Sequence, residues 1–409
     1  MKCIIAVKEH EKVISDFTEE QIKKLNKFFN EEEPTFLGLH SEIENYLPII
    51  KSYYYIGYRW LDENTYINIV PKKETDFLSM FMECLEDEIV SKKLDKTYKI
   101  FFDEPWIELN DKIDDLNTFL VIHFLYLLKK ITQKGLKKGY IKVTNNLTSK
   151  VKGKILIKQT IKHNHFKNRL DKTICNYQIF TINCIENQIL KTALLQCSKY
   201  VKLLNDENIT KLFKQNLNAF ELVDTKEIFD SDFSKIKHSP FYKEYKESLN
   251  LAKMIFKKFG FSLQNNDKLL NKIPPYYINM AELFERYVEV KLRKNNISYV
   301  DGNQKSYTWQ MRPDFLLTDE KIILDAKYKF WYENEEKDYF KDDYKQLSLY
   351  SRDKKIRKDL QVDENKIIKL VFIYPNYNGN DLLNFNDLKD ENFLNIYKLS
   401  LKIPQKETK

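Results

Sequence analysis

The sequence is poor in the residues that break chains: 8 Gly and 10 Pro in 409 residues. That scarcity excludes long low-complexity linkers. Five cysteines, Cys3, Cys84, Cys175, Cys184 and Cys197, are odd in number, scattered and without a C-x-x-C pair. This argues against a structural zinc site and for free thiols in a reducing cytoplasm. The longest apolar stretch, 116–128, is interrupted by Asn117 and His123 and falls short of the roughly 20 residues that span a bilayer. The opening Met1-Lys2-Cys3-Ile4-Ile5-Ala6-Val7-Lys8 meets a charge too soon for a signal peptide and reads as a first strand. G-x-x-x-x-G-K-[ST] is missing, so the chain is expected to bind no nucleotide itself.

What is present is the composition of a folded soluble protein, 43% hydrophobic and 31% charged, with length for two or three domains. The net charge of +8 is modest, but it is unevenly placed. Residues 134–172 carry twelve Lys or Arg against one acid, Asp171. Within them Val151, Ile155, Ile157 and Ile161 alternate with Lys150, Lys152, Lys154, Lys158 and Lys162, predicting strands with one basic face; Lys137 and Lys138 precede them. Such a face can follow a phosphate backbone or dock on an acidic protein. His163 and His165 have no cysteine or carboxylate cluster nearby and read as surface residues.

Apolar residues at helical spacing predict helices over 19–30, 77–90, 116–128, 185–204, 212–223, 241–259, 280–294 and 339–352. Residues 53–60 and 66–70 flank Asp62-Glu63-Asn64 as a hairpin. The polar run 230–240 is the best linker candidate, and Pro274-Pro275 marks a second break.

The densest chemistry lies in 312–327. Phe315-Leu316-Leu317 and Ile322-Ile323-Leu324 are joined by the polar Thr318-Asp319-Glu320-Lys321, the pattern of a hairpin. A turn centred between 319 and 320 pairs residue 314 with 325, so Asp314 faces Asp325. Opposed residues of an antiparallel pair have Cβ atoms roughly 4.5–5.5 Å apart, and alternation puts Lys327 on the face of Asp325. Two carboxylates that close repel, and a divalent cation relieves the repulsion. With an ammonium beside them they suit Mg²⁺ and a phosphate ester. In the preceding helix, Glu282, Glu285 and Glu289 lie off the apolar stripe of Met280, Leu283, Phe284, Tyr287, Val288 and Leu292. In the following helix Asp343, Gln346 and Tyr350 share a face, where Gln346 and Tyr350 can position a phosphate or Lys327, or edge the core. A mainly apolar run, 367–374, then suits a buried strand beside the hairpin.

The order helix, hairpin, helix, strand, with Pro313-Asp314 and Asp325-Ala326-Lys327, resembles the PD-(D/E)XK nuclease core. More narrowly, Arg312 to Leu317, Leu324 to Lys329, the Gln346 and Tyr350 helix and Leu283-Phe284-Glu285-Arg286-Tyr287-Val288 resemble the McrC family, the nuclease subunits of McrBC-type modification-dependent restriction systems. Upstream, Gly57-Tyr58, Ile67 to Lys72, Lys134 to Tyr140, Val151 to Ile155 and Glu186 to Leu194 resemble earlier segments of that family in the same order. Lys stands where Arg is expected at 137 and 152, and the likeness does not reach 202–271.

The resemblance implies a mixed α+β chain. It implies a β-rich N-terminal region with helices, 1–235, for docking on a partner or contacting DNA, and a nuclease core with a central mixed sheet flanked by helices over 236–409. It favours Glu285 among the three glutamates. It implies Mg²⁺ or Mn²⁺ held by Asp314 and Asp325, with Glu285 as an outer or second-metal ligand, and Lys327 as the catalytic ammonium. It further implies an AAA+ GTPase hexamer of the McrB kind, whose GTP hydrolysis the chain stimulates, and methylated double-stranded DNA as substrate. Lys137, Lys138, Lys150, Lys152, Lys154, Lys158 and Lys162 are then candidates for gripping DNA or docking on the motor ring. Two other readings stand beside this one: a non-cleaving activator of an AAA+ partner, against which the intact Asp314, Asp325 and Lys327 set counts, and a motor-independent nuclease of repair or RNA processing, which would cleave alone.

Overall fold

The computed structural model describes residues 3–8, 12–14, 18, 20–21, 40–44, 47–71, 75–101, 104–108, 115–204, 206–236, 242–259, 272–330, 341–381, 383–385, 388 and 394–406. Most of the helix predicted over 19–30 lies outside them. The chain forms mixed α+β structure in two compact units, one made of Met1–Ile107 with Pro274–Lys409 and one of Glu108–Ile273. The boundary expected at 235/236 therefore falls inside the second unit.

In the first unit a five-stranded sheet runs in the order Cys3–Lys8, Thr65–Val70, Tyr55–Trp60, Tyr276–Asn279, Tyr98–Ile100. The first pair is parallel and the others antiparallel. The hairpin around Asp62 forms as predicted, because the Asp62 carboxylate accepts from the backbone N–H of Asn64 at 2.7 Å and of Thr65 at 2.6 Å. Gly57 has φ of +135°, and a Cβ there would lie 2.2 Å from the Tyr276 carbonyl oxygen. Only glycine lets strand Tyr276–Asn279 lie alongside. That strand, inserted between two N-terminal ones, makes the chain after Pro274 part of the N-terminal unit. A smaller sheet joins Lys12–Ile14, Leu47–Lys51 and His40–Glu44.

The second five-stranded sheet runs Tyr299–Asp301, Phe315–Leu317, Ile322–Ala326, Lys369–Asn376, Ile396–Lys402. The first two pairings are antiparallel and the last two parallel. Leu316, Ile323 and Phe372 pack with Leu347 and Tyr350 of helix Lys341–Tyr350 and with Ile356 and Leu360; burying each such side chain stabilises by about 1.5–3 kcal/mol.

Helix Met280–Lys294 is capped by Asn279, whose side chain accepts from the N–H groups of Ala281 and Glu282. Its predicted stripe is buried throughout, and Arg286 and Glu289 are buried with it. Helix Phe77–Glu86 pairs with it through Glu83 to Lys291 (2.9 Å) and Lys294 (2.8 Å), and through Asp87, its C-cap, to Arg293 (2.7 Å). Two acids, Glu83 and Asp87, thus clamp the two helices together.

The second unit is built on helices Asp115–Lys134, Ile185–Leu204, Glu207–Ala219 and Lys243–Phe259, which pack on one another around Phe119, Phe124, Leu190, Leu194, Cys197 and Phe256. Residues 230–236 are not a linker. Asp230–Phe233 is a short helix, and Asp232 is buried and paired with Lys226 and Lys235, each at 2.9 Å. A small sheet pairs Gly139–Thr148 with Lys172–Thr181 and the latter with Lys154–Ile155. The strands expected through Ile161 stop there, and Ile157–His163 is a helix. Leu156, Thr160 and Asn164 set its inner face at a spacing of four, with Thr160 and Asn164 buried. The isoleucines that mimicked strand alternation, Ile155, Ile157 and Ile161, are exposed. Cys84, Cys175, Cys184 and Cys197 are buried free thiols. No helix among the described residues is long and apolar enough to cross a membrane.

Candidate active site

The hairpin adopts the register read from the sequence: Phe315 pairs with Leu324, Leu316 with Ile323 and Leu317 with Ile322. Residues 318–321 form the turn, with Lys321 left-handed at φ +58°. Just beyond the strand, the same register sets Asp314 opposite Asp325, close enough for the charge of one to act on the other. Asp314 is fixed by the Ala326 N–H, which donates to its Oδ2 at 2.7 Å. Gly302 brings the neighbouring strand against this point: its N–H donates to the Asp314 carbonyl at 3.1 Å, and a Cβ there would fall 1.9 Å from the Pro313 oxygen.

Lys327 extends the strand through its N–H to the Ile373 carbonyl at 2.8 Å. Its ammonium lies 2.6 Å from Asp325 Oδ2. The same ammonium donates to Gln346 Oε1 at 3.2 Å, Gln346 Nε2 donates to the Tyr350 hydroxyl at 2.6 Å, and that hydroxyl donates to the Arg312 carbonyl at 3.3 Å. Of the roles open to them, Gln346 is in contact with Lys327, and Tyr350 holds Gln346. Tyr350 also belongs to the core, so the two readings hold together.

Glu285 accepts from Asn303 Nδ2 at 2.7 Å and from Arg286. Arg286 is the residue that sequence reasoning passed over. It is 4% exposed and also pairs with Glu282 at 3.1 Å and Glu289 at 2.7 Å. Glu289, expected off the buried stripe, is fully enclosed and takes Lys93 at 2.5 Å and the Tyr299 hydroxyl at 2.7 Å. The signal was the spacing of Glu282, Arg286 and Glu289 on one helix, which permits a buried arginine with partners at i−4 and i+3. Lys329 and Asp343 form a second, half-buried pair at 2.5 Å.

The electrostatics are those of an over-charged acidic pocket. Burial, then the charge of Asp325, pushes Asp314 up to about 7. Burial also raises Asp325, despite the Lys327 ammonium. Glu285 is raised by burial and then by Asp314, which places it electrically in the same site. Burial works against the charge of Lys327, but Asp325, Asp314 and Asp343 together raise it above its ordinary value. Three carboxylates held against their preference fit a divalent cation. Among the described residues no three His, Cys, Asp or Glu side chains converge as a complete ligand set. Mg²⁺ suits such a place because it takes one or two carboxylates and keeps several waters.

The sequence profile of the McrBC 5-methylcytosine restriction system component family matches residues 50–372, most of the chain. The chain belongs to the McrBC family. Among solved structures it is similar to the half-complex of Thermococcus gammatolerans McrB AAA+ hexamers with bound McrC, at 18% identity and TM-score 0.44, covering 98% of this chain and 94% of that one. It is also similar to a chain of the Thermococcus gammatolerans McrBC complex, at 17% identity and TM-score 0.34, covering 73% and 89%. No curated protein matches the sequence.

The basic residues of this McrBC chain divide. Lys137 is a structural lock: its ammonium pairs with Glu186 at 2.6 Å, and its backbone N–H donates to the Tyr245 hydroxyl at 2.8 Å. Lys138, Lys142, Lys150, Lys152, Lys154, Lys158 and Lys162 are exposed, with Lys152 over the Tyr177 ring at 5.5 Å. Beside them stand exposed Tyr140, Phe166, Leu170 and Phe180, the first and last in ring contact at 4.9 Å.

Proposed function

We propose that this chain is the DNA-cleaving subunit of a modification-dependent restriction complex, a Mg²⁺-dependent endodeoxyribonuclease of the PD-(D/E)XK kind that hydrolyses phosphodiester bonds. The observation that carries the proposal is the aligned hairpin, which sets Asp314 against Asp325 with Lys327 held beside them through Gln346 and Tyr350. The surrounding order of helix, three antiparallel strands, helix and parallel strand supports it.

In this reading Asp314 and Asp325 hold Mg²⁺, or Mn²⁺ in its place, with Glu285 as an outer ligand; when bound, the ion supplies charge stabilisation and an activated water. The protein's share is positional. The Ala326 N–H fixes Asp314, and Arg286 with Asn303 fixes Glu285. Lys327 presents its ammonium toward the phosphate and orients the attacking water, which lowers the cost of the negative charge that develops. The core cluster beneath, from Leu316 to Phe372, keeps these groups on rigid elements.

The motor is a separate protein, an AAA+ GTPase hexamer of the McrB kind, whose GTP hydrolysis this chain stimulates. Exposed apolar side chains among the lysines of 138–180 support docking there, because patches of that mixture mark protein interfaces. The substrate is methylated double-stranded DNA. Incubation with Mg²⁺, GTP and the McrB-type partner is expected to cut methylated plasmid and spare unmethylated plasmid. Equal cutting of both, or cutting by the chain alone without partner or GTP, refutes the modification-dependent, motor-driven reading.

A further inference from the structure

Between strand Tyr299–Asp301 and the Pro313-Asp314 corner the chain makes a short loop whose tip is Trp309, 80% exposed. The rest of the loop is clamped. Tyr307 is buried and its hydroxyl donates to Asp359 at 2.8 Å; Lys305 pairs with the same carboxylate at 2.9 Å. The Thr308 N–H donates to buried Asp353 at 3.0 Å, and the Met311 N–H closes back on the Thr308 carbonyl at 3.1 Å. Immediately after it, Arg312 gives its carbonyl to Tyr350, the residue that positions Gln346 beside Lys327. The tip is thus tied to the candidate active site by a continuous chain of bonds.

The conformation of the tip is itself unfavourable. Trp309 and Gln310 are consecutive non-glycine residues with φ of +54° and +59°, a region that bulky side chains avoid. A scattered exposed apolar residue needs no explanation. A tryptophan held outward by a strained, anchored turn, one loop away from three carboxylates and an ammonium, does need one. The surrounding charge supplies it. Arg312, three residues beyond Trp309, and Arg352 and Lys355 on either side of the Asp353 that holds Thr308, are exposed and make no ion pair among the described residues. An outward aromatic ring flanked by unpaired cations is the arrangement by which proteins follow a phosphate backbone and stack on, or wedge between, its bases.

We propose that the loop 305–312 is a DNA-engaging wedge: the Trp309 indole contacts or inserts at a base step beside the phosphate presented to Asp314 and Asp325, while Arg312, Arg352 and Lys355 hold the flanking phosphates. The inference deepens the nuclease reading and rests on it for the identity of the substrate. It assigns to the loop a task the carboxylate site cannot perform, that of fixing and locally unstacking the duplex.

The test uses the full chain and a short duplex carrying 2-aminopurine, with EDTA present so that no cleavage occurs. Wild type is expected to raise the 2-aminopurine fluorescence on binding. Trp309→Gly, which suits the left-handed backbone and so retains the fold, is expected to abolish that rise and weaken binding roughly 10- to 100-fold; Trp309→Phe is expected to retain most of both. A Trp309→Gly chain with unchanged affinity and unchanged fluorescence overturns the proposal. So does one that binds DNA normally and loses only its association with the GTPase partner, because the loop is then a protein-docking element. If Trp309→Gly loses the signal while the assembled wild-type complex does not cleave DNA, the wedge stands and the nuclease reading falls.

Discussion

Replacing Asp314 by Asn should stabilise the metal-free protein while destroying its response to metal. In the folded chain burial and Asp325 push the Asp314 carboxyl from 3.8 to about 7. A carboxylic acid whose folded pKa is raised makes no difference to stability below its unfolded pKa, where both states hold the proton. Between 3.8 and about 7 the unfolded chain loses the proton first, so stability falls as pH rises, and above about 7 the whole penalty is present. A shift of that size corresponds to at most about 4 kcal/mol, and the residual exposure of Asp314 makes the true value smaller. Asparagine keeps an acceptor for the Ala326 N–H, which donates to Asp314 at 2.7 Å, and carries no charge. Thermal unfolding in EDTA is therefore expected to show a higher midpoint for Asp314→Asn than for wild type at pH 8 and a smaller advantage at pH 5. Mg²⁺ should then raise the wild-type midpoint and leave the variant where it was. A variant less stable than wild type at pH 8 in EDTA, or equally stabilised by Mg²⁺, refutes this account of the pocket.

Other changes follow from the same geometry. Lys327→Met should lower cleavage by about 10²–10³-fold, since it removes a positioned cation; rates at saturating DNA check this. Gln346→Ala, which removes one neutral contact to that ammonium, should cost about tenfold, with Lys327→Met equally inactive whether or not Gln346 is present. Arg286→Met should destabilise by about 1–3 kcal/mol, because it removes the guanidinium shared by Glu285 and Glu289 and leaves only Asn303 on the one and Lys93 with Tyr299 on the other; urea unfolding reads it, and a loss below 1 kcal/mol would show that the network is dispensable. Phe372→Ala, in the core under the site, should cost about 3–5 kcal/mol by the same assay.

The hairpin was legible because strand pairing has a period of two and its turn has an even length, so one sum of residue numbers set the register that places Asp314 against Asp325. Helices with one apolar stripe, such as Met280–Lys294 and Ile185–Leu204, were legible for the same reason of periodicity. Strand Tyr299–Asp301 was not, being three residues long and half-buried. Nor was the insertion of Tyr276–Asn279 among N-terminal strands, since pairing across more than two hundred residues leaves no local mark. The helix Ile157–His163 was misread as strand because its exposed isoleucines alternate while its buried face rests on polar Thr160 and Asn164. In the site, the carboxylates and Lys327 could be named from motif and spacing. The buried Arg286 was passed over because an arginine on a helix is ordinarily solvated, although its glutamates at i−4 and i+3 were there to be read.

The central claim is that Asp325, opposed to Asp314 and paired with Lys327, belongs to a centre that cuts DNA. It is tested most directly by Asp325→Ala in the assembled complex with McrB-type partner, Mg²⁺, GTP and methylated plasmid. The account predicts a complex that assembles, hydrolyses GTP and leaves the plasmid intact. Cleavage at the wild-type rate would contradict it.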